Sequence, residues 1–135
     1  MASGSKRREH NRITMKSNYK TGWRSSVQKR KQRKFRANAP KHVKGKFLSA
    51  PLDKELREEH NTRSARIRSG DTVEILRGSF KGDVGEVERV DVKRTRIYIR
   101  GVERIGKGGQ KIPLSVAPSN VRITKLVNDK KRFDK

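Results

Sequence analysis

The sequence predicts a mainly β protein, in which a small barrel of short strands follows a basic, partly helical N-terminal extension. Short runs of β-branched residues, separated by Gly-rich turns, occupy residues 67–127. Most of the positive charge precedes them, with 16 Lys and Arg against 1 acidic residue in residues 1–50. Hydrophobic residues make up 30% and aromatic residues 5% of the 135 positions. So few apolar side chains cannot fill one large core, which predicts that only part of the chain is globular.

The charge divides the chain into four segments. We interpret residues 1–50, net +15, as a basic extension that binds RNA, and residues 51–66, net zero, as a short helix with a linker. Residues 67–127, net +6, form the predicted barrel, and residues 128–135, net +2, form a basic tail. With a net charge of +23, the basic side chains repel one another in the isolated chain. This charge predicts a polyanionic partner. We therefore expect the extension to contact RNA rather than to remain a solvated tail.

The extension contains a dense basic run and one predicted helix. Six charges surround Phe35, and we expect RNA contacts from all six: Lys29, Arg30, Lys31, Arg33, Lys34 and Arg36. Asn38-Ala39-Pro40 predicts the start of a helix of about two turns that ends near Leu48, although Gly45 weakens it. Its basic side chains are further expected contacts: Lys41, His42, Lys44 and Lys46.

A second short helix is predicted after Ser49, which we interpret as its N-cap, with Pro51 in the first turn. Leu52 and Leu56 are four positions apart and form a narrow apolar stripe. Asn61 suits the C-terminal end. Neither helix is long enough to be stable alone, so each must pack on the barrel or on the partner.

The barrel is predicted to begin with a hairpin. Residues 73–76 form its first strand, residues 78–82 its Gly-rich tip, and a second strand carries Val84, Val87 and Val90. Phe80 at the tip is expected either to pack over the end of the barrel or to stack on a base. The expected RNA contacts around this hairpin are Arg68, Arg77, Phe80 and Lys81.

Residues 94–100 alternate in the manner of a strand with one buried face. Thr95, Ile97 and Ile99 are expected to point into the core. The opposite face either binds RNA or is simply polar, and it carries Arg94, Arg96, Tyr98 and Arg100. A turn is predicted at residues 106–109, and a closing strand at 121–126 after Pro118-Ser119-Asn120.

Three other patterns could suggest a chemical site. Residues 101–107 match GxxxxGK, but Gly108 replaces the Ser or Thr that binds Mg²⁺, and no helix is predicted after it. We therefore interpret this segment as a hairpin turn. His10, His42 and His60 are scattered without neighbouring ligands at metal-binding spacing. Glu55, Glu58 and Glu59 are interpreted as the solvated face of a short helix. We expect no enzyme activity, no cofactor, no metal and no small-molecule substrate.

The remaining composition bounds the protein class. The absence of cysteine excludes disulfides and thiolate metal sites and is typical of an intracellular protein. No apolar run approaches the ~18 residues of a membrane span. The N-terminus has no apolar segment after its basic residues, so no secretory signal is predicted.

Residues 67–90, IRSGDTVEILRGSFKGDVGEVERV, resemble the KOW motif. That motif is a hairpin that opens a small SH3-like barrel, mainly in RNA-binding proteins, and Gly82 falls on its defining glycine. One function of such a motif is that of a KOW module of a transcription elongation factor. Those factors attach such modules to an additional α/β domain, for which this chain has no room.

A longer resemblance covers roughly residues 28–133. Residues 39–71, APKHVKGKFLSAPLDKELREEHNTRSARIRSGD, and 116–126, VAPSNVRITKL, are similar to the universal KOW-containing large-subunit ribosomal protein family. Its members are numbered twenty-four in bacteria and twenty-six in eukaryotes. The basic segment before the barrel and the short tail resemble archaeal members, while residues 1–27 are a lineage-specific extension or reflect an uncertain start.

The resemblance implies a structural role in the cytoplasmic ribosome. The implied partners are large-subunit ribosomal RNA and neighbouring ribosomal proteins. It also implies an early role in assembly and a position near the polypeptide exit tunnel.

Overall fold

The computed structural model describes residues 18–129 and 131–133. The start of the predicted extension, including His10, lies outside the described residues, as do Lys130, Asp134 and Lys135 of the tail. The chain divides into two compact units between Asn38 and Ala39. The boundaries drawn from charge, at residues 50, 66 and 127, stay predictions.

The first unit is a 3-10 turn, Thr21–Ser25, followed by helix α1, Lys29–Asn38. The side-chain amide of Gln32 donates to the carbonyl of Trp23 at 3.1 Å and to that of Ser26 at 2.7 Å, which holds the turn against the helix. Phe35 is buried, with its ring centroid 5.1 Å from that of Tyr19. The residue pattern alone does not predict α1, because its stripe contains only one apolar residue.

The second unit begins with helix α2, Lys41–Phe47, which confirms the predicted two-turn helix. Pro40 is its N-cap, and its carbonyl accepts hydrogen bonds from the backbone N–H groups of Val43 and Lys44, both at 3.0 Å. Pro40 has no N–H to leave unsatisfied, which suits the start of a helix.

The predicted start of the next helix is wrong. Ser49 does not cap it, because strand β1, Ser49–Pro51, pairs antiparallel with strand β2, Ser64–Arg66. This pairing buries Ala50, and helix α3 begins only at Lys54, where the Asp53 carboxylate accepts from the Lys54 N–H at 2.8 Å. Helix α3, Lys54–His60, ends as predicted at Asn61, whose φ of 51° is left-handed.

Five antiparallel strands form the barrel-like sheet, which confirms the predicted fold class. In sheet order they are β6, β5, β4, β3 and β7. Their bounds are β3 Thr72–Ile75, β4 Val84–Asp91, β5 Arg96–Ile105, β6 Lys111–Val116 and β7 Val121–Lys125.

Strand β4 curves the sheet. Its first three residues pair with β3, the rest pairs with β5, and the register shifts between Val87 and Arg89. A bulge of this kind bends a strand and increases its twist, which lets a small sheet close on itself. Strands β3 and β4 pair antiparallel, which confirms the predicted hairpin.

The core lies inside the curved sheet and extends to β1 and the end of α2. Ile97 and Ile99 are buried as predicted, and Leu48 and Leu52 are fully buried beside them. Arg94 and Thr95, just before strand β5, do not follow the predicted alternation. Thr95 has a φ of 54° in the turn before β5, and Arg94 lies in the same turn, so neither belongs to a face of the strand.

The GxxxxGK-like segment lies on β5 and on the turn to β6. The Gly106 N–H donates to the carbonyl of Gln110 at 2.7 Å, and strand β6 follows instead of a helix, so the predicted turn is confirmed. Within the described parts of the chain, no helix is long and apolar enough to cross a membrane.

Candidate nucleic-acid interface

Helix α1 concentrates positive charge without an acidic residue of its own. Five like-charged pairs stand three or four positions apart on it: 29 with 33, 30 with 34, 30 with 33, 31 with 34 and 33 with 36. Each such pair destabilises a helix by about 0.2–0.5 kcal/mol. A polyanion bound along α1 would remove this repulsion.

The 3-10 turn adds an aromatic ring to the same unit. The ammonium of Lys20 lies 4.8 Å, and that of Lys31 5.8 Å, from the ring centroid of Trp23. Cations at this distance from an aromatic face are attracted to it. Lys31 is half-buried, whereas Lys29, Arg30, Arg33 and Lys34 are exposed.

The predicted cations of α2 divide into two kinds. Lys41, His42 and Lys46 are exposed. Lys44 is half-buried, and its ammonium donates to the backbone carbonyl of Lys93 at 3.1 Å, which ties α2 to the turn after β4. Lys44 therefore has a structural role in the second unit.

Acidic partners lie beside Arg68 and Arg100, which are both predicted contacts. Arg68 pairs with Asp129, while Arg100 lies 3.5 Å from Glu86 and 3.3 Å from Glu88. Such exposed pairs are weak, but they lower the local positive potential. Both arginines stay predictions as RNA contacts.

The hairpin tip places Arg77 and Lys81 in solvent, while Phe80 is half-buried and packs against the core. This favours the packing interpretation of Phe80. Gly82 has a φ of 92°, and its N–H donates to the carbonyl of Ile75 at 2.8 Å, which closes the tip. A positive φ is the reason that glycine is needed here.

The outward face of β5 is shorter than predicted. Arg96 is exposed, Tyr98 is half-buried, and Arg94 lies in the preceding turn, where its N–H donates to the Asp91 carboxylate at 3.2 Å. The guanidinium carbon of Arg89, directly opposite on β4, lies 4.2 Å from the ring centroid of Tyr98. Tyr98 therefore supports an arginine that sequence reasoning missed.

A groove follows the outer side of β4, and we call it the β4 groove. It consists of two adjoining depressions of about 580 and 610 Å³. Both depressions are lined by Arg66, Arg89, Val90 and Val92. The first is also lined by Lys41, His42 and Lys93. The second depression is also lined by Arg68. The groove thus joins three predicted residues, Lys41, His42 and Arg68, to three that the sequence did not reveal: Arg66, Arg89 and Lys93.

The missed residues had only a faint signal. Gly45 interrupts a helical pattern, and the structure explains it: a Cβ at Gly45 would lie 2.8 Å from Nη1 of Arg66. Neither the pairing of β1 with β2 nor the register shift in β4 is visible in the sequence, and these two features aim Arg66 and Arg89 into the groove.

Other cations stabilise the fold. Arg122 donates to the Glu74 carboxylate at 2.5 Å, and this hydrogen bond raises the pKa of the guanidinium. Arg132 pairs with Asp71 in the interior. In the part of the chain that the structure describes, no group of three or more His, Cys, Asp or Glu residues could hold a metal ion.

The sequence matches one family model over most of its length. That model, described as ribosomal proteins L26 (eukaryotic) and L24 (archaeal), matches residues 26–135. The match therefore covers α1 and the whole second unit.

Individual relatives agree with the family match. The large ribosomal subunit protein uL24 of Methanoculleus marisnigri is 50% identical over 111 residues, which cover 82% of this chain and 92% of the relative. The uL24 of Methanocorpusculum labreanum is 51% identical over 102 residues, 76% of this chain and 84% of the relative. The uL24 of Methanothrix thermoacetophila is 48% identical over 101 residues, covering 75% and 87%.

Proposed function

Because the chain belongs to the family of eukaryotic L26 and archaeal L24 ribosomal proteins, in its archaeal form, we propose that it binds large-subunit ribosomal RNA. It is a structural constituent of the ribosome and, as such, a cytoplasmic protein. Neighbouring ribosomal proteins are its further partners. Catalysis forms no part of this function.

The observation that supports RNA binding is the set of cations without carboxylate partners. Among residues 18–129 and 131–133, none of Lys41, Arg66, Arg77, Lys81, Arg89, Lys93 and Arg96 forms an ion pair. Cations of this kind neutralise phosphates and release counterions, which supplies most of the affinity for a polyanion. Independently of that set, helix α1 carries six basic residues in ten positions.

Co-sedimentation tests the proposal. The purified chain is mixed with large ribosomal subunits that have been stripped of the homologous protein, and in parallel with small subunits and with RNA polymerase. We expect it to migrate with the large subunit alone on a sucrose gradient. Migration with polymerase would support the elongation-factor alternative, and migration with none of the three would contradict a ribosomal role.

We extend the proposal to an early role in assembly and to a position near the polypeptide exit tunnel, both of which the family resemblance implies. Reconstitution with ordered addition tests the first: omitting the chain at the start is expected to impair subunit formation more than omitting it late. Crosslinking the bound chain to nascent peptide tests the second. Equal yields in the first experiment, or no crosslink in the second, would contradict the corresponding part.

A further inference from the structure

The β4 groove carries a positive charge that its own acidic residues do not cancel. Glu88 and Asp91 line it, and Glu88 pairs with Arg100 at 3.3 Å. The Asp91 carboxylate accepts only from the neutral backbone N–H of Arg94, at 3.2 Å, so it remains a single negative charge among several cations. Lys41, Arg66, Arg89 and Lys93 have no carboxylate partner within the described residues. Charge complementarity therefore favours an anionic ligand.

Arg66 is held with its flat side against helix α2. A Cβ at Gly45 would lie 2.8 Å from Nη1, 2.9 Å from Cζ and 3.1 Å from Nη2 of Arg66. Because three guanidinium atoms are almost equally near, the plane of the group lies over the Gly45 backbone. Arg66 is nevertheless exposed, so part of its planar group remains accessible.

Arg89 is supported in the same manner from the sheet. Its guanidinium carbon lies 4.2 Å from the ring centroid of Tyr98, its cross-strand neighbour, and Arg89 is also exposed. Stacking on the ring fixes the orientation of the planar group before any ligand binds. Val90 and Val92 add an apolar lining between the charged side chains.

We propose that the β4 groove binds an unpaired nucleotide of RNA. Its base stacks against the supported guanidinium planes of Arg66 and Arg89, and its phosphate lies near Lys41 and Lys93. Unstacked bases bind to arginine planes in this way, whereas a paired duplex presents mainly its phosphates and 2′-hydroxyls. Two flat cations beside an apolar lining offer stacking surfaces to a base, which the point charge of a lysine does not provide.

The inference rests on the proposed function but makes a separate prediction. An RNA duplex with one bulged nucleotide should bind the chain more tightly than the same duplex fully paired. The expected preference is about tenfold, since stacking one base on a protein side chain changes affinity by roughly that factor or more. A bulged 2-aminopurine serves as the probe, because stacking quenches its fluorescence.

The decisive variants keep the charge and remove the flat surface. Gly45→Ala forces the Arg66 guanidinium away from α2, and only the flexible end of a side chain must move, so the helix stays intact. Arg89→Lys removes the plane that rests on Tyr98. Together they should reduce the preference for the bulge to about one- to threefold and abolish the quenching. The slope of affinity against salt should stay unchanged, because no charge is lost.

Arg104→Lys is the matched control, since Arg104 is exposed on β5 and does not line the groove. It should retain the preference. The proposal is overturned if the wild-type chain shows no preference for the bulge, or if the double variant keeps it. A further outcome would also overturn it: a Glu-rich peptide binds at the groove, and bulged and fully paired RNA displace that peptide equally well. The site would then suit an acidic protein partner rather than an unpaired nucleotide. Co-sedimentation with the large subunit is scored separately, so the proposed function can stand when this inference fails.

Discussion

At the scale of single residues, the ion pair between Asp71 and Arg132 is almost fully shielded from water. The Asp71 side chain is 0% and that of Arg132 4% exposed. Asp71 accepts two hydrogen bonds from Arg132, at 2.7 and 2.6 Å, and further ones from the backbone N–H groups of Arg68 and Val127. Arg132 therefore stabilises the second unit, in addition to contributing positive charge to the basic tail.

We expect Arg132→Met to destabilise the protein by about 3–5 kcal/mol, because it leaves the buried Asp71 carboxylate without its cation. Urea unfolding of the full chain, followed by circular dichroism, measures the change. Lys131→Met is the control, since Lys131 is exposed and next in sequence. Equal midpoints for the two variants would show that the pair contributes nothing.

Gly82 provides a second test of a single residue. We expect Gly82→Val to destabilise the protein by about 1–3 kcal/mol, because its φ of 92° is strained for a β-branched residue. A clash is not the cause, since no atom lies within 4 Å of a Cβ placed there. Thermal unfolding should rank Gly82→Asn between wild type and Gly82→Val, because asparagine tolerates a positive φ better. An unchanged midpoint for Gly82→Val would refute the argument.

At the scale of elements, α1 is expected to supply much of the salt dependence of RNA binding. Replacing Lys29, Arg30, Arg33 and Lys34 by Gln should lower the slope of log K against log salt by roughly 2.8–3.6, at about 0.7–0.9 for each lost phosphate contact. Affinity for large-subunit RNA fragments across a salt series measures the slope. The second unit should still discriminate between RNA shapes.

The control removes the same number of charges elsewhere: Lys54, Arg63, Lys125 and Lys131, all exposed and outside both α1 and the β4 groove. We expect a smaller change of slope for this variant. The same change in both would mean that binding depends on total charge and that α1 is not a specific element of the interface.

At the scale of the whole molecule, we expect residues 39–135 to fold without residues 1–38. Every buried hydrophobic residue of the described chain except Phe35 belongs to the second unit. A dispersed NMR spectrum and a cooperative unfolding transition of residues 39–135 would confirm this. A cut after residue 48 should fail, because it removes the fully buried Leu48 and the whole of α2. If both fragments fold equally, α2 is dispensable to the core.

The sequence by itself determined the fold class, the β3–β4 hairpin and the helix at Lys41, and it predicts a polyanionic partner. These follow from local signals: period-two alternation, glycines that suit a tip, proline at a helix start, and charge density. Such signals involve residues close together in the chain, so they can be recognised without knowledge of the fold. The family resemblance likewise depends on contiguous residues and agrees with the match over residues 26–135.

The tertiary structure alone decided where the groove is and which cations are available to it. Ser49 suits a helix cap locally, but pairing β1 with β2 buries Ala50 and moves the cap to Asp53. Arg132 and Arg122 look like ordinary basic residues until Asp71 and Glu74, at 61 and 48 positions away, neutralise them. Arg66 and Arg89 become neighbours only through strand pairing and a register shift. Contacts between residues so far apart in the chain depend on how the strands close, and no local pattern encodes that.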